Sequence, residues 1–283
     1  MKRVFSTRAL IVFFVGLLVF QLIWDAYLYT LPSHTTNANY WFNVVYASTS
    51  TLIAVVGLLS VYLGRERHQP SSVAVLLLSL SALLNGFGLY FWAYYNLFSH
   101  VAVPYPSLAD YFFLAFPILM ISGFWILLNQ YKPSITLSLV AEALFVGPIC
   151  SMLIFYFFFI PSVDQTMGLL AKFVTIATPW EDAFLIGTLY VAFRIRSGFF
   201  HRYFRLFGLS MLIFVAADFT FQYRTIANTY WNGDIADLLY LLNMFVFAIA
   251  LIFAIDTHTK NAEKMAPTAK LSPSVAGQNI GKN

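Results

Sequence analysis

Asp218 is an acid where the chain is otherwise strongly apolar. It stands in Val215-Ala216-Ala217-Asp218-Phe219, inside a stretch long enough to cross a bilayer and well short of its end. A carboxylate at the centre of such a stretch costs about 2.5–3.5 kcal/mol on insertion scales, and it reads as a ligand contact or a cation station. Gln222 follows one helical turn later on the same face. Asn85, in Leu84-Asn85-Gly86-Phe87-Gly88, is the matching polar residue of an earlier apolar stretch. Gly86 and Gly88 beside it allow a helix or a ligand to approach closely. These three residues are the expected polar core of a ligand-binding site. A structural alternative stays open: Asp218 and Asn85 as partners in one interhelical hydrogen bond, worth about 0.6 kcal/mol on average.

The remaining acids extend this pattern. Eight of the twelve, namely Asp25, Asp110, Asp164, Glu181, Asp182, Asp218, Asp234 and Asp237, fall on one side of the expected membrane, against only Lys172 and Arg224. One reading is an acidic vestibule that concentrates cations or cationic ligands, with Asp110, Asp182 and Asp237 at its mouth. The other is helix capping, because these three sit in the expected first turns of helices, where a carboxylate satisfies free N–H groups. Glu181 and Asp182 are adjacent and repel, and one would suffice for a cap. Five of the six tryptophans, Trp24, Trp41, Trp92, Trp180 and Trp231, map to the same layer, as an interfacial belt or as the walls of an aromatic pocket. Glu142 is either a second polar station or a side chain reaching back to the cytoplasmic face.

Several chemistries find no support. The sequence has no His-Glu-x-x-His zinc motif, no Gly-x-Ser-x-Gly elbow, no Walker loop and no Gly-x-Gly-x-x-Gly fingerprint. His34, His68, His100, His201 and His258 all map to span ends or loops, which disfavours a haem held by two histidines. The lone Cys150 leaves no internal disulfide. No catalytic residue, metal site or cofactor is expected, and the chain is not read as an enzyme. The net charge of +4 is scattered through short turns, which points to lipid headgroups and away from nucleic acid.

The elements that must position these residues are membrane helices. The chain is 60% hydrophobic and 10% charged, far from the roughly 25% charged of soluble domains. Apolar stretches at roughly 9–29, 40–63, 73–97, 107–130, 136–160, 178–195, 204–226 and 235–255 each approach the ~20 residues that span a hydrocarbon core. Fourteen of the sixteen Lys and Arg residues then fall on one side, which the positive-inside rule makes cytoplasmic, together with both termini. The expected fold is all-α: a polytopic membrane protein of about eight transmembrane helices in four hairpins. It sits multi-pass in a cell (inner) membrane, with the lipid bilayer as its first partner. Residues 1–256 form the transmembrane domain, and the polar residues 257–283 form a disordered cytoplasmic tail. Pro117 and Pro148 should kink helices four and five. Around Pro179 the expectation is an interfacial helix over 164–178 leading into a short sixth span, in preference to one long bent helix.

A weak internal repeat runs through the spans. The returning helices open on polar residues: Asn37-Ala38-Asn39, Pro106-Ser107-Leu108-Ala109-Asp110, Pro179-Trp180-Glu181-Asp182 and Gly233-Asp234-Ile235-Ala236-Asp237. The pattern Pro106-Ser107-Leu108-Ala109-Asp110-Tyr111-Phe112, answered by Gly233-Asp234-Ile235-Ala236-Asp237-Leu238-Leu239-Tyr240, resembles multi-helix bacterial membrane sensor modules that precede diguanylate cyclases (GGDEF) and histidine kinases. The likeness covers roughly residues 75–255, and neither a Gly-Gly-Asp-Glu-Phe signature nor a kinase core follows. The resemblance implies a free-standing sensor and signal-transduction module that reads a ligand or a membrane state in its outer half. Its output would go to a cytoplasmic signalling partner or a membrane complex. A small cation or organic-solute transporter or channel, and a structural subunit of a larger membrane complex, are the alternative readings.

Overall fold

In a computed structural model, which describes residues 6–63, 69–130, 136–154, 156, 168–195 and 202–265, the chain forms eight α-helices. They are α1 (Thr7–Leu28), α2 (Asn37–Leu63), α3 (Pro70–Leu97), α4 (Leu108–Asn129), α5 (Leu137–Ile154), α6 (Leu169–Arg194), α7 (Arg202–Ile226) and α8 (Ile235–Met265). Among the described residues there is no strand. Six helices (α1 to α4, α7 and α8) are long and apolar enough to cross a membrane; α5 and α6 fall outside that set. The molecule is an all-helical polytopic membrane protein.

The apolar surface follows from that environment. Val12, Phe13, Phe20 and Ile23 of α1 and Phe145 and Met152 of α5 are at least half exposed, a pattern suited to lipid and costly in water. The interior is made by α8, which packs against α1, α2, α3 and α7. The pairs α3–α4, α5–α6 and α7–α8 run along each other as hairpins, α2 has its widest interface with α3, and α1 meets both α2 and α8. Helices ordered this way, up and down in turn, place the start of α1 and the end of α8 together. Thr7 Oγ1 indeed donates to Asp256 Oδ1 at 3.1 Å. This is the terminal end of the bundle; the opposite, distal end gathers the start of each even-numbered helix and the finish of each odd-numbered one.

Close approach is bought with small residues, since lipid offers no hydrophobic drive to pair helices. A Cβ on Gly147 would lie 2.2 Å from the Ala183 carbonyl oxygen, so α5 and α6 meet backbone to backbone. Gly86 takes Thr51 and Ala47 of α2 against it, and Gly88 takes the Phe113 ring of α4. The room both glycines leave is therefore filled by helices. Polar side chains add bonds across the pairs: Gln21 Nε2 to Thr49 Oγ1 at 2.7 Å, Asn85 Nδ2 to Ser50 Oγ at 2.9 Å, and Ser210 Oγ to Asn243 Oδ1 at 2.6 Å. Glu142 of α5 accepts from Tyr190 Oη at 2.7 Å and from Arg194 at 3.2 Å, both on α6, with Arg194 in its last turn at the terminal end.

Two expectations are corrected. The interfacial helix ending at 178 and the short sixth span are one continuous helix, α6, with Pro179 inside it. Pro179 has no N–H for the Thr175 carbonyl, a loss that membrane helices tolerate within a packed bundle. Thr175 Oγ1 and Thr178 Oγ1 bond to the carbonyls of Ala171 and Val174, at 2.8 and 3.2 Å. Residues 164–167 lie outside the described residues, Asp164 among them. The tail expected to begin at 257 is helical as far as Met265; residues 266–283 also lie outside the described residues.

Candidate functional site

The starts of α4 and α8 are built alike. At α4, Ser107 Oγ accepts the Ala109 N–H at 3.2 Å, and the Asp110 carboxylate accepts the Ser107 N–H at 2.5 Å. At α8, Asp234 Oδ1 accepts the Ala236 N–H at 2.8 Å, and Asp237 Oδ2 accepts the Gly233 N–H at 2.6 Å. The first is a reciprocal capping box; the second is a close variant in which the Asp237 carboxylate reaches the N–H one residue before the cap. α2 opens on one half of this arrangement, where Asn39 Oδ1 accepts from the Thr36 N–H at 3.3 Å and from Thr36 Oγ1 at 2.7 Å. The repeat seen in the sequence is thus a repeated helix start: Thr36-Asn37-Ala38-Asn39, Ser107-Leu108-Ala109-Asp110 and Asp234-Ile235-Ala236-Asp237.

α6 departs from this plan. Because the helix already begins at Leu169, Asp182 lies in its middle and has no free N–H groups to cap. The expectation that Asp182 lies at a mouth is therefore corrected. Its side chain is fully buried, and no donor among the described residues reaches either carboxylate oxygen. It faces the Asp218 carboxyl of α7 within hydrogen-bonding reach, and Glu181 is close enough to act on both. Two carboxyl groups in this position can hydrogen-bond only when one of them carries a proton. Asp218 also accepts a short hydrogen bond from Tyr240 Oη of α8. The alternative pairing of Asp218 with Asn85 is not made, since the Asn85 amide donates to Ser50 Oγ and, at 3.5 Å, to Met244 Sδ.

Beside this cluster the distal end holds a cavity of about 670 Å³. Asn85, Asp110, Asp218, Gln222 and Asp237, five of the six residues singled out from the sequence, line it; Asp182 stands outside the lining, facing Asp218. Asp110 and Asp237 therefore cap helices and line the cavity at once. The lining also includes Asn43 and Tyr46 of α2 and Tyr240 of α8, which the sequence did not distinguish, and Trp92 of α3, one of the five tryptophans read as belt or pocket wall. Glu181, noted only as a neighbour of Asp182, lines it as well. Among the described residues no Lys, Arg or His belongs to the lining. Trp92 faces inward, whereas Trp41 and Trp180 are about half exposed and suit an interfacial belt.

The α7–α8 connection is pinned to α2 and α3 at this end. Asn232 Oδ1 accepts from Asn43 Nδ2 at 2.7 Å and from Trp92 Nε1 at 2.8 Å, and its carbonyl accepts from Asn39 Nδ2 at 2.8 Å. Gly233 has φ +95°, which favours glycine, and Leu28 packs where a Cβ would stand. Arg224 Nε donates to Asp234 Oδ2 at 2.5 Å, while Arg224 Nη2 donates to the Thr229 carbonyl at 2.9 Å. Burial pushes the Asp234 carboxyl up, and the Ala236 N–H and the Arg224 guanidinium pull it back down. Burial also pushes the Tyr230 hydroxyl well above the usual phenol range, reinforced by Asp237 and Asp234. That hydroxyl stays a donor and bonds to Asp237 at 3.2 Å.

No known protein family, curated protein or solved structure matches the chain.

Proposed function

We propose that the protein is a membrane sensor module that reads a small ligand in the distal cavity and passes a helix movement to a cytoplasmic partner. In this reading the distal end faces outward and the basic turns of the terminal end face the cytoplasm, following the positive-inside distribution. The carrying observation is a cavity of about 670 Å³ with polar groups among apolar walls, within the range of small-molecule sites. Binding is favoured over passage because the terminal half is filled by packed rings. Phe124 lies edge-on to Phe204 and Phe207 at 5.6 and 6.5 Å, and Phe207 lies edge-on to Phe247 at 5.3 Å. A transporter would have to open that packing in each cycle. The resemblance to sensor modules over residues 75–255 supports the same class.

The test mimics an occupied cavity. Leu89 lines it and is nearly buried, so Leu89→Trp fills part of the space. Spin labels at Arg194 and Lys260, in a Cys150→Ala background, report the terminal ends of α6 and α8. The reading expects Leu89→Trp to shift the label-to-label distance while reconstituted vesicles stay tight to rubidium. An unchanged distance, or rubidium flux through the wild-type protein, contradicts it.

A further inference from the structure

We infer that the distal cavity takes an organic cation with a bulky apolar or aromatic body, its charge held by Glu181 and Asp218 and its body set against the aromatic walls. The inference rests on the reading of this cavity as a ligand site and adds the class of ligand.

Charge is the first argument. Among the described residues the lining contains four acids and no basic residue. Two of the acids are already engaged, Asp110 in its capping box and Asp237 with the Gly233 N–H and the Tyr230 hydroxyl. Glu181 has no ion pair or hydrogen bond among the described residues, and Asp218 receives only the Tyr240 hydroxyl and its carboxyl neighbour Asp182. Asp182 adds a fully buried carboxyl whose oxygens no donor reaches. Carboxyl groups packed this way, away from water and with no basic partner among the described residues, keep protons while the cavity is empty and give one up to a cation that pairs with them.

Size and wall chemistry then separate an organic cation from a metal ion. Among the described residues no group of three His, Cys, Asp or Glu side chains is placed to hold a metal. A bare alkali ion would leave most of the 670 Å³ to water. Tyr46, Trp92, Phe113, Phe221 and Tyr240 line the same space as the acids. Ring faces attract ammonium groups, most strongly where water is excluded, and they bury an apolar body equally well. The amides of Asn85 and Gln222 add acceptors that suit a substituted ammonium.

The test compares probes of one size and different charge. Titration calorimetry in mild detergent measures benzyltrimethylammonium and the neutral amide N,N-dimethylbenzamide. The cation should bind at least about tenfold more tightly, because only it gains from the acids. Asp218→Asn should weaken the cation about tenfold and leave the neutral amide unchanged. Glu181→Gln, on the cavity wall and less buried, should weaken the cation about threefold, and it decides the matter if Asp218→Asn fails to fold. Equal binding of both probes, unmoved by either variant, overturns the cation while keeping the cavity as a ligand site. If neither probe binds, the cation inference falls. If Leu89→Trp also leaves the label distance unchanged, the ligand-site reading falls with it.

Discussion

The starts of α4 and α8 and the middle of α6 carry similar sequence and do different work. Ser107-Leu108-Ala109-Asp110 closes a capping box and Asp234-Ile235-Ala236-Asp237 a variant of it, so their acids are satisfied by backbone N–H groups. Pro179-Trp180-Glu181-Asp182 lies within α6, whose N–H groups are already committed to helix bonds, and Asp182 is left with no donor. An acid at a helix start stabilises that start. The same acid, after the helix has grown two or three turns past it, becomes a cost that only a proton or a bound cation relieves. The difference teaches that extending one helix of a repeat is enough to turn a capping acid into a buried one without a donor.

Substitutions sharpen this contrast, and thermal unfolding in detergent reads them. The largest loss is expected for Asp234→Ala, about 2–3 kcal/mol, because it removes a cap and strands the Arg224 guanidinium. Asp237→Ala should cost about 1–2 kcal/mol through the Gly233 N–H and the Tyr230 hydroxyl. Ser107→Ala should cost about 1 kcal/mol, since one half of its box goes. Asp182→Asn should have the opposite sign and raise stability by about 0.5 kcal/mol, because its amide can donate to Asp218. A lower melting temperature for Asp182→Asn would erase the distinction between α6 and its counterparts.

The fold was legible wherever apolar length decided it. The expected spans overlap all eight helices, because a run of about 20 apolar residues with polar ends has few alternatives in a bilayer. At α6 the proline reads as a break in the sequence, but the helix runs through it. In the structure the Thr175 and Thr178 hydroxyls bond within the turn before the proline, and the helix runs on. In the candidate site, Asp218, Asn85 and Gln222 stood out because polar residues are rare in apolar stretches, and all three line the cavity. Tyr46 and Tyr240 did not stand out, and Trp92 could not be told from the tryptophans of the interfacial belt. In a chain that is 19% aromatic, nothing in the sequence separates a ring that faces a cavity from one that faces lipid. The exchange of Asn85 as partner of Asp218 for Tyr240 and Asp182 was illegible for a related reason. Which helices face each other is set by packing, for example by Gly86 against Ala47 and Thr51, and span order does not reveal it.

The central claim is that an acidic, aromatic cavity opens at the distal end and that this end faces outward. Cysteine accessibility in intact cells tests it most directly, with Leu89→Cys on the cavity wall and Leu127→Cys in the packed terminal half, both in a Cys150→Ala background. Two membrane-impermeant methanethiosulfonates are used, one bearing trimethylammonium and one bearing sulfonate, each rate normalised to that on free cysteine. The account predicts that the cysteine at 89 is modified from outside, about tenfold faster by the cationic reagent, and that the one at 127 is untouched. No modification at 89 from outside, or an anionic reagent as fast as the cationic one, would contradict it.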